Sequence, residues 1–224
     1  PRSQLMHCCE WHNGILYVAG GLGSSRGSAN GFGDYRFLNS VFAFNEATGL
    51  WEDLPPMPHS CELAASGVIG NQLYIAGGRT EQGMFSARPL LTLQIYDIAT
   101  RTWRLGQPLP GPGIGATIGC VGAFGQVIDG KLVLVKHGTL LTYEPHSETW
   151  TESASYPSEG RYPPRMHHAC VHNGRIIVFM ENGSAFARAA DGSWATYEGA
   201  AAVGPPVFGL LAPQHYVSAS VLLG

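Results

Sequence analysis

Gly14-Ile15-Leu16-Tyr17-Val18-Ala19-Gly20-Gly21 and Asn71-Gln72-Leu73-Tyr74-Ile75-Ala76-Gly77-Gly78 decide the fold. Each is a turn followed by an apolar, β-branched or aromatic run, which reads as a buried strand, and each ends in a Gly pair. Two further segments repeat the run without the pair: Gly130-Lys131-Leu132-Val133-Leu134-Val135 and Gly174-Arg175-Ile176-Ile177-Val178-Phe179. A second signal follows each copy. Six residues separate Phe44 from Trp51, Tyr96 from Trp103 and Tyr143 from Trp150, and the fourth copy keeps the spacing with Ala187 and Trp194. These tryptophans fall 52, 47 and 44 residues apart, so the chain is an internal repeat before it is anything else.

A hydrophobic strand ending in Gly-Gly, then an aromatic, six residues and a Trp, resembles the kelch repeat. Copies one and two match well. Copy three has Lys136-His137-Gly138 in place of the Gly pair; copy four has Glu181-Asn182-Gly183 and no aromatic before its Trp. The resemblance implies an all-β, kelch-type β-propeller of four-stranded antiparallel blades, spanning residues 1–224 as one domain. The expected blades run about 5–54, 62–106, 117–154 and 166–198, with a partial one at 207–224. Gly20, Gly21, Gly77 and Gly78 would end the second strands. Trp51, Tyr96, Trp103, Tyr143, Trp150 and Trp194 would fill the space between blades. A kelch propeller usually has six or seven blades, so about four and a half repeats read as a fragment or an incomplete ring, and the first residue is not Met.

Composition agrees with short strands and tight turns: hydrophobic residues make up 45% and charged residues 13%, with 30 Gly and 15 Pro. The net charge of −3 provides no global basic field, so nucleic acid is not an expected partner. No run approaches the roughly 18 apolar residues of a membrane helix, and Pro1 to Gln4 do not resemble a signal peptide. The cysteines, Cys8, Cys9, Cys61, Cys120 and Cys170, are odd in number and lack framework spacing. They read as buried thiols of a reducing compartment, cytoplasmic or nuclear.

In kelch proteins the loops between strands B and C, and between D and the next A, commonly line the ligand face. Here these are about 22–36, 79–90, 136–139 and 181–184, and 55–61, 107–116 and 155–165. Arg26, Arg36, Arg79, Arg88, Lys136, Arg161 and Arg165 map to them, with Tyr35, Phe85 and His137. Arg beside aromatics is a frequent interface composition, and Arg suits carboxylate capture. The expected ligand is therefore a protein, as an acidic peptide segment; a scatter of solvated charges is the plainer alternative. Glu46, Asp97, Glu144, Glu148 and Asp191 collect on the opposite side. Two stretches align, Met6-His7-Cys8-Cys9-Glu10-Trp11-His12 and Met166-His167-His168-Ala169-Cys170-Val171-His172. They invite a metal reading, but the same register is the repeat's own first strand, so no metal, cofactor or catalytic residue is expected. Family membership implies a protein-interaction module, as in substrate recruitment to ubiquitin ligases through an F-box or BTB domain. An enzyme of the sugar-processing or oxidase kind is the alternative.

Overall fold

In the computed structural model the described residues are 4–24, 35–83, 86–111, 124–136, 139–154, 156, 166–180, 182–189 and 191–197. Every regular element among them is a strand. The first blade region contains β1 (Gln4–Leu5), β2 (Cys8–His12), β3 (Ile15–Ala19), β4 (Leu22–Ser24), β5 (Tyr35–Phe37), β6 (Val41–Asn45) and β7 (Leu50–Leu54). The second contains β8 (Ala65–Ile69), β9 (Gln72–Ala76), β10 (Arg79–Gly83), β11 (Ser86–Pro89), β12 (Leu93–Asp97) and β13 (Thr102–Leu105). Then follow β14 (Phe124–Ile128), β15 (Lys131–Lys136), β16 (Thr139–Glu144) and β17 (Thr149–Ala154). The last are β18 (Met166–His172), β19 (Arg175–Met180), β20 (Ala185–Arg188) and β21 (Trp194–Thr196). They build four four-stranded sheets, β2-β3-β6-β7, β8-β9-β12-β13, β14-β15-β16-β17 and β18-β19-β20-β21, which are blades one to four. The partial blade expected at 207–224 lies outside the described residues.

The A–B turns follow from their residues. Asn13-Gly14, Asp129-Gly130 and Asn173-Gly174 have both central residues at positive φ, which the tight hairpin turn matching the strand twist requires. Inside the blades the usual in-out alternation of a one-sided sheet is lost. Leu73, Tyr74, Ile75 and Ala76 are all buried in succession, as are Leu132, Val133, Leu134 and Val135, so both faces of these strands are covered. Blade one contributes Cys8, Tyr17, Ala19, Val41, Ala43 and Leu54 to a core that Leu73, Ile75 and Tyr96 of blade two complete.

The Gly pairs sit where backbone meets backbone. Gly20 has φ +67, and a Cβ there would stand 2.5 Å from the Cys61 carbonyl oxygen and 2.9 Å from Met57 Cε. Its neighbour Gly21 donates its N–H to that same carbonyl at 2.7 Å. The segment entering blade two is thereby seated directly on the end of β3.

The aromatic-to-Trp spacing places the two rings on opposed strands. Phe44 pairs with Trp51 and Tyr96 with Trp103 across the β6–β7 and β12–β13 ladders. The ring centroids lie 5.1 and 5.0 Å apart, and Tyr143–Trp150 repeats the contact at 5.0 Å. Two indoles also reach back to the preceding blade. Trp103 Nε1 donates to Pro55 O at 2.8 Å, and Trp150 Nε1 to Gln107 O at 3.0 Å.

Blade four departs from the expected pattern. The hairpin is one residue tighter, so Trp194 lies opposite Arg188, and Ala187 opposite Ala195. A one-residue change exchanges the faces of a strand. Trp194 meets Tyr156 edge-on at 6.0 Å, and among the described residues its buried indole N–H has no hydrogen-bond partner. The six-residue spacing of copy four is thus not a cross-strand pair.

Cys8 and Cys61 are buried free thiols, whereas Cys9 and Cys170 are only half-buried; Cys120 lies outside the described residues. Burial, with a contribution from the Glu62 carboxylate, pushes the Cys61 thiol up to about 12. The chain divides into two compact units, residues 1–134 with 142–151, and 135–141 with 152–224.

The Gly20 contact is directly testable. Gly20→Ala forces a side chain into the left-handed region and against the Cys61 carbonyl, and is expected to destabilise the chain by about 1–3 kcal/mol, measured as a lower urea midpoint.

Candidate functional site

Because each blade is antiparallel, its B–C connection leaves from one edge and its A–B and C–D turns from the other. On the B–C edge the sequence leads one to expect open loops. The structure has paired ribbons instead. In blade one, β4 pairs with β5, with Leu22 opposite Phe37 and Gly23 opposite Arg36, and β1 pairs on the other side of β4. In blade two, β10 pairs with β11, with Arg79 opposite Pro89 and Thr80 opposite Arg88. The two ribbons approach each other at β5 and β10.

Arg36 and Arg88 are exposed on these neighbouring ribbons, as is Glu81. Tyr35 begins β5 and Lys136 ends β15. Arg26, Phe85, His137, Arg161 and Arg165 lie outside the described residues.

Arg79 has a different position from the one its sequence context implies. Its Nη2 donates to Glu62 Oε1 at 2.5 Å, and Glu62 is 2% exposed against 29% for Arg79. The two residues also exchange backbone hydrogen bonds, Glu62 N to Arg79 O at 3.0 Å and Arg79 N to Glu62 O at 2.9 Å. Burial pushes the Glu62 carboxyl up, and the Arg79 guanidinium pulls it back. The Arg79 charge is therefore committed to the root of the ribbon rather than offered at its surface. Leu5 opposite Leu22 occupies the corresponding place in blade one, so an ion pair here replaces an apolar pair. Glu62 was missed because it lies 17 residues from Arg79, a separation at which no local pattern speaks.

The D–A link at 55–61 is likewise a packed strap more than a free loop. Met57 and Cys61 are buried. Gln94, fully buried in β12, accepts from His59 N at 2.8 Å and donates to His59 O at 3.2 Å. Pro55, Pro56, Pro58 and His59 remain exposed along it.

On the opposite edge the acidic residues are not alone. Lys131 reaches Glu144 at 3.1 Å, Arg104 reaches Glu148 at 2.7 Å, and Arg101 pairs with Glu52. Asp97 and Asp191 serve their own turns, accepting from Thr100 N at 2.8 Å and Ser193 N at 2.9 Å. The Thr100 N–H holds the Asp97 carboxyl below the usual range, and the Ser193 hydroxyl, donating at 2.6 Å, together with the Ser193 N–H does the same for Asp191. A cleft of about 390 Å³ opens between blades one and two, lined by Tyr17, Trp51, Glu52, Tyr96 and Arg101 among others. His12 and His172 contact the neighbouring amides of Asn13 and Asn173 at 2.9 and 3.2 Å. Among the described residues no three His, Cys, Asp or Glu side chains gather to hold a metal ion.

The Glu62–Arg79 pair yields a double-mutant test. Removing Arg79 leaves the buried Glu62 carboxylate uncompensated, whereas removing Glu62 leaves a guanidinium that is partly in solvent. Arg79→Leu alone is expected to cost about 3–5 kcal/mol, Glu62→Leu less, and the double replacement, which reproduces the apolar pair of blade one, to fall within about 1 kcal/mol of the parent. Urea unfolding of the three variants measures it.

Comparison with known proteins adds to this geometry. The kelch motif model matches residues 5–58 and 60–110, the first two blades. Kelch-like protein 35 of Mus musculus is 26% identical over 153 residues, covering 68% of this chain and 24% of its own. Kelch repeat and BTB domain-containing protein 12 of Danio rerio is 27% identical over 165 residues, covering 67% of this chain and 26% of that protein. An F-box/kelch-repeat protein of Arabidopsis thaliana is 25% identical over 197 residues, covering 76% and 39%. The match spans about a quarter of the length of the mouse and zebrafish relatives, and 14% of a Xenopus laevis kelch-like protein 40. Among solved structures, that of YjhT superposes with a TM-score of 0.66 at 14% identity, over 88% of this chain and 66% of that one; at this identity the likeness concerns the fold. Repeat, strand order and relatives agree: residues 5–110 carry kelch motifs, and the four-stranded sheets are blades of the kelch-type β-propeller fold.

Proposed function

We propose that the ribbon edge of blades one and two is a protein-binding surface that takes an acidic peptide segment. The observation that carries this reading is the pair of exposed guanidinium groups, Arg36 and Arg88, on adjacent β-ribbons. Among the described residues no ion pair engages either of them. A guanidinium held on a paired strand loses less freedom on binding than one on an open loop, and its fork fits a carboxylate. By sequence, Arg26, Tyr35 and Phe85 fall in the same two B–C connections and would extend the surface. Arg79 supports it from below through Glu62.

The names of the BTB and F-box relatives support a further step: recruitment of a substrate to a ubiquitin ligase, with this chain as the recognition part. Fold alone is weak ground for such a role, so the ribbon residues carry the test. In affinity capture from a native extract, and in anisotropy titration with a fluorescent Glu/Asp-rich peptide, Arg36→Glu/Arg88→Glu is expected to weaken binding tenfold or more while leaving the far-UV spectrum unchanged. Raising salt should weaken the parent's peptide binding. Identical capture and titration by parent and variant would refute this surface and move attention to the opposite edge.

A further inference from the structure

The junction between blades one and two and that between blades two and three are built from equivalent positions. Tyr17 of β3 lies with Tyr96 of β12 at the first, and both line the cleft there. Tyr74 of β9 and Tyr143 of β16 form the second, with ring centroids 5.9 Å apart. In each, the indole of the later blade donates to a carbonyl that follows the earlier blade's last strand, Trp103 to Pro55 and Trp150 to Gln107. In each, an ion pair closes the rim. It joins the residue after the earlier blade's Trp to the residue two before the later blade's Trp. At the first junction these are Glu52 and Arg101, whose two guanidinium nitrogens each meet a carboxylate oxygen. At the second they are Arg104 and Glu148, 2.7 Å apart.

The polarity of the two pairs is opposite. Blade two is basic on both flanks, with Arg101 toward blade one and Arg104 toward blade three. Its neighbours present acids to it. The turn position holding Arg101 and Glu148 has φ +56 and +53, while the corresponding Gly49 and Gly192 have φ +69 and +88. A positive φ costs nothing to Gly and strains a residue with a Cβ. The two charged side chains are therefore kept where glycine is the easier choice. Static stability is a poor reason for keeping them: all four side chains are between 44% and 56% exposed, and exposed pairs contribute little.

We propose that the reversed polarity selects the order in which blades stack, by excluding direct association of blade one with blade three. The apolar parts of the two junctions do not discriminate, because blade three offers the same Tyr and Trp to an earlier blade as blade two does. Repeats of this kind misassemble by pairing with the wrong neighbour. If blade three docked on blade one, within a chain or between two chains, Glu52 would face Glu148. Like charges at this rim repel where the native pairs attract, and it is this difference between partners, not the strength of either pair, that selects against the wrong one.

The test uses the full chain, refolded from urea at low ionic strength and separated by size exclusion into native monomer and swapped or aggregated material. Glu52→Arg/Arg101→Glu keeps an ion pair at both native junctions but gives blade one a basic rim, complementary to Glu148 of blade three. Arg104→Glu/Glu148→Arg does the converse, giving blade three a basic rim that complements Glu52 of blade one. Both double variants should unfold at the parent's urea midpoint and yield severalfold more non-native material. The quadruple variant, in which all four charges are reversed, restores like charge between blades one and three and should refold as the parent does. In 1 M NaCl the differences should disappear, because the Debye length there is only about 3 Å. Double variants that refold like the parent overturn the proposal. So does a quadruple variant as impaired as the doubles, which would show that residue identity, not relative polarity, matters.

Discussion

A four-stranded antiparallel sheet whose strands are apolar on both faces cannot stand in water alone. Leu73 and Ile75 point to one side of β9, Tyr74 and Ala76 to the other, and all four are buried. Covering only one side would leave either Leu73 and Ile75 or Tyr74 and Ala76 in water, at roughly 1.5–3 kcal/mol for each large apolar side chain. Stacking one sheet on the next removes that cost for both. The other features of the first unit follow from it. The Gly pairs let the connecting strap close over the stack, Gln94 fastens that strap, and the indoles of Trp103 and Trp150 tie each blade to the end of the one before.

Packed faces leave the edges for function. The B–C connections of blades one and two are raised into paired ribbons, and Arg36 and Arg88 stand on them with fixed backbones. The price of that placement is visible at the ribbon root, where a buried carboxylate is held by Arg79. The same residue type thus serves two purposes on one edge: Arg79 fixes the platform, while Arg36 and Arg88 face solvent.

The sequence exposes what is periodic and hides what is paired at a distance. Strand runs, turn dipeptides and the Trp spacing are local, and the blades one to three that they imply are in the structure; the aromatic–Trp pairs, expected between blades, form across strands within each blade, and Trp51 is exposed. Blade four shows the limit of counting: Ala187 and Trp194 keep the interval, yet the tighter hairpin sets Trp194 opposite Arg188. Without an aromatic at the facing position, nothing held the register to the repeat. The ribbons were hidden because Arg79-Thr80-Glu81 carries no β-branched alternation; pairing with β11, not propensity, makes it a strand. The partners of Arg79, Arg101 and Arg104 lie 17, 49 and 44 residues away; the pairing of Glu62 with Arg79 within blade two brings the first together, and the stacked blades the other two.

The alternating rim charges also bear on how such a chain changes its number of repeats. Repeat arrays lengthen and shorten by unequal exchange of whole units. Loss of blade two alone would join Glu52 to Glu148, and its duplication would set Arg104 beside a second Arg101. Copy number in this stretch is thereby constrained at blade two, by four surface side chains and not by the core.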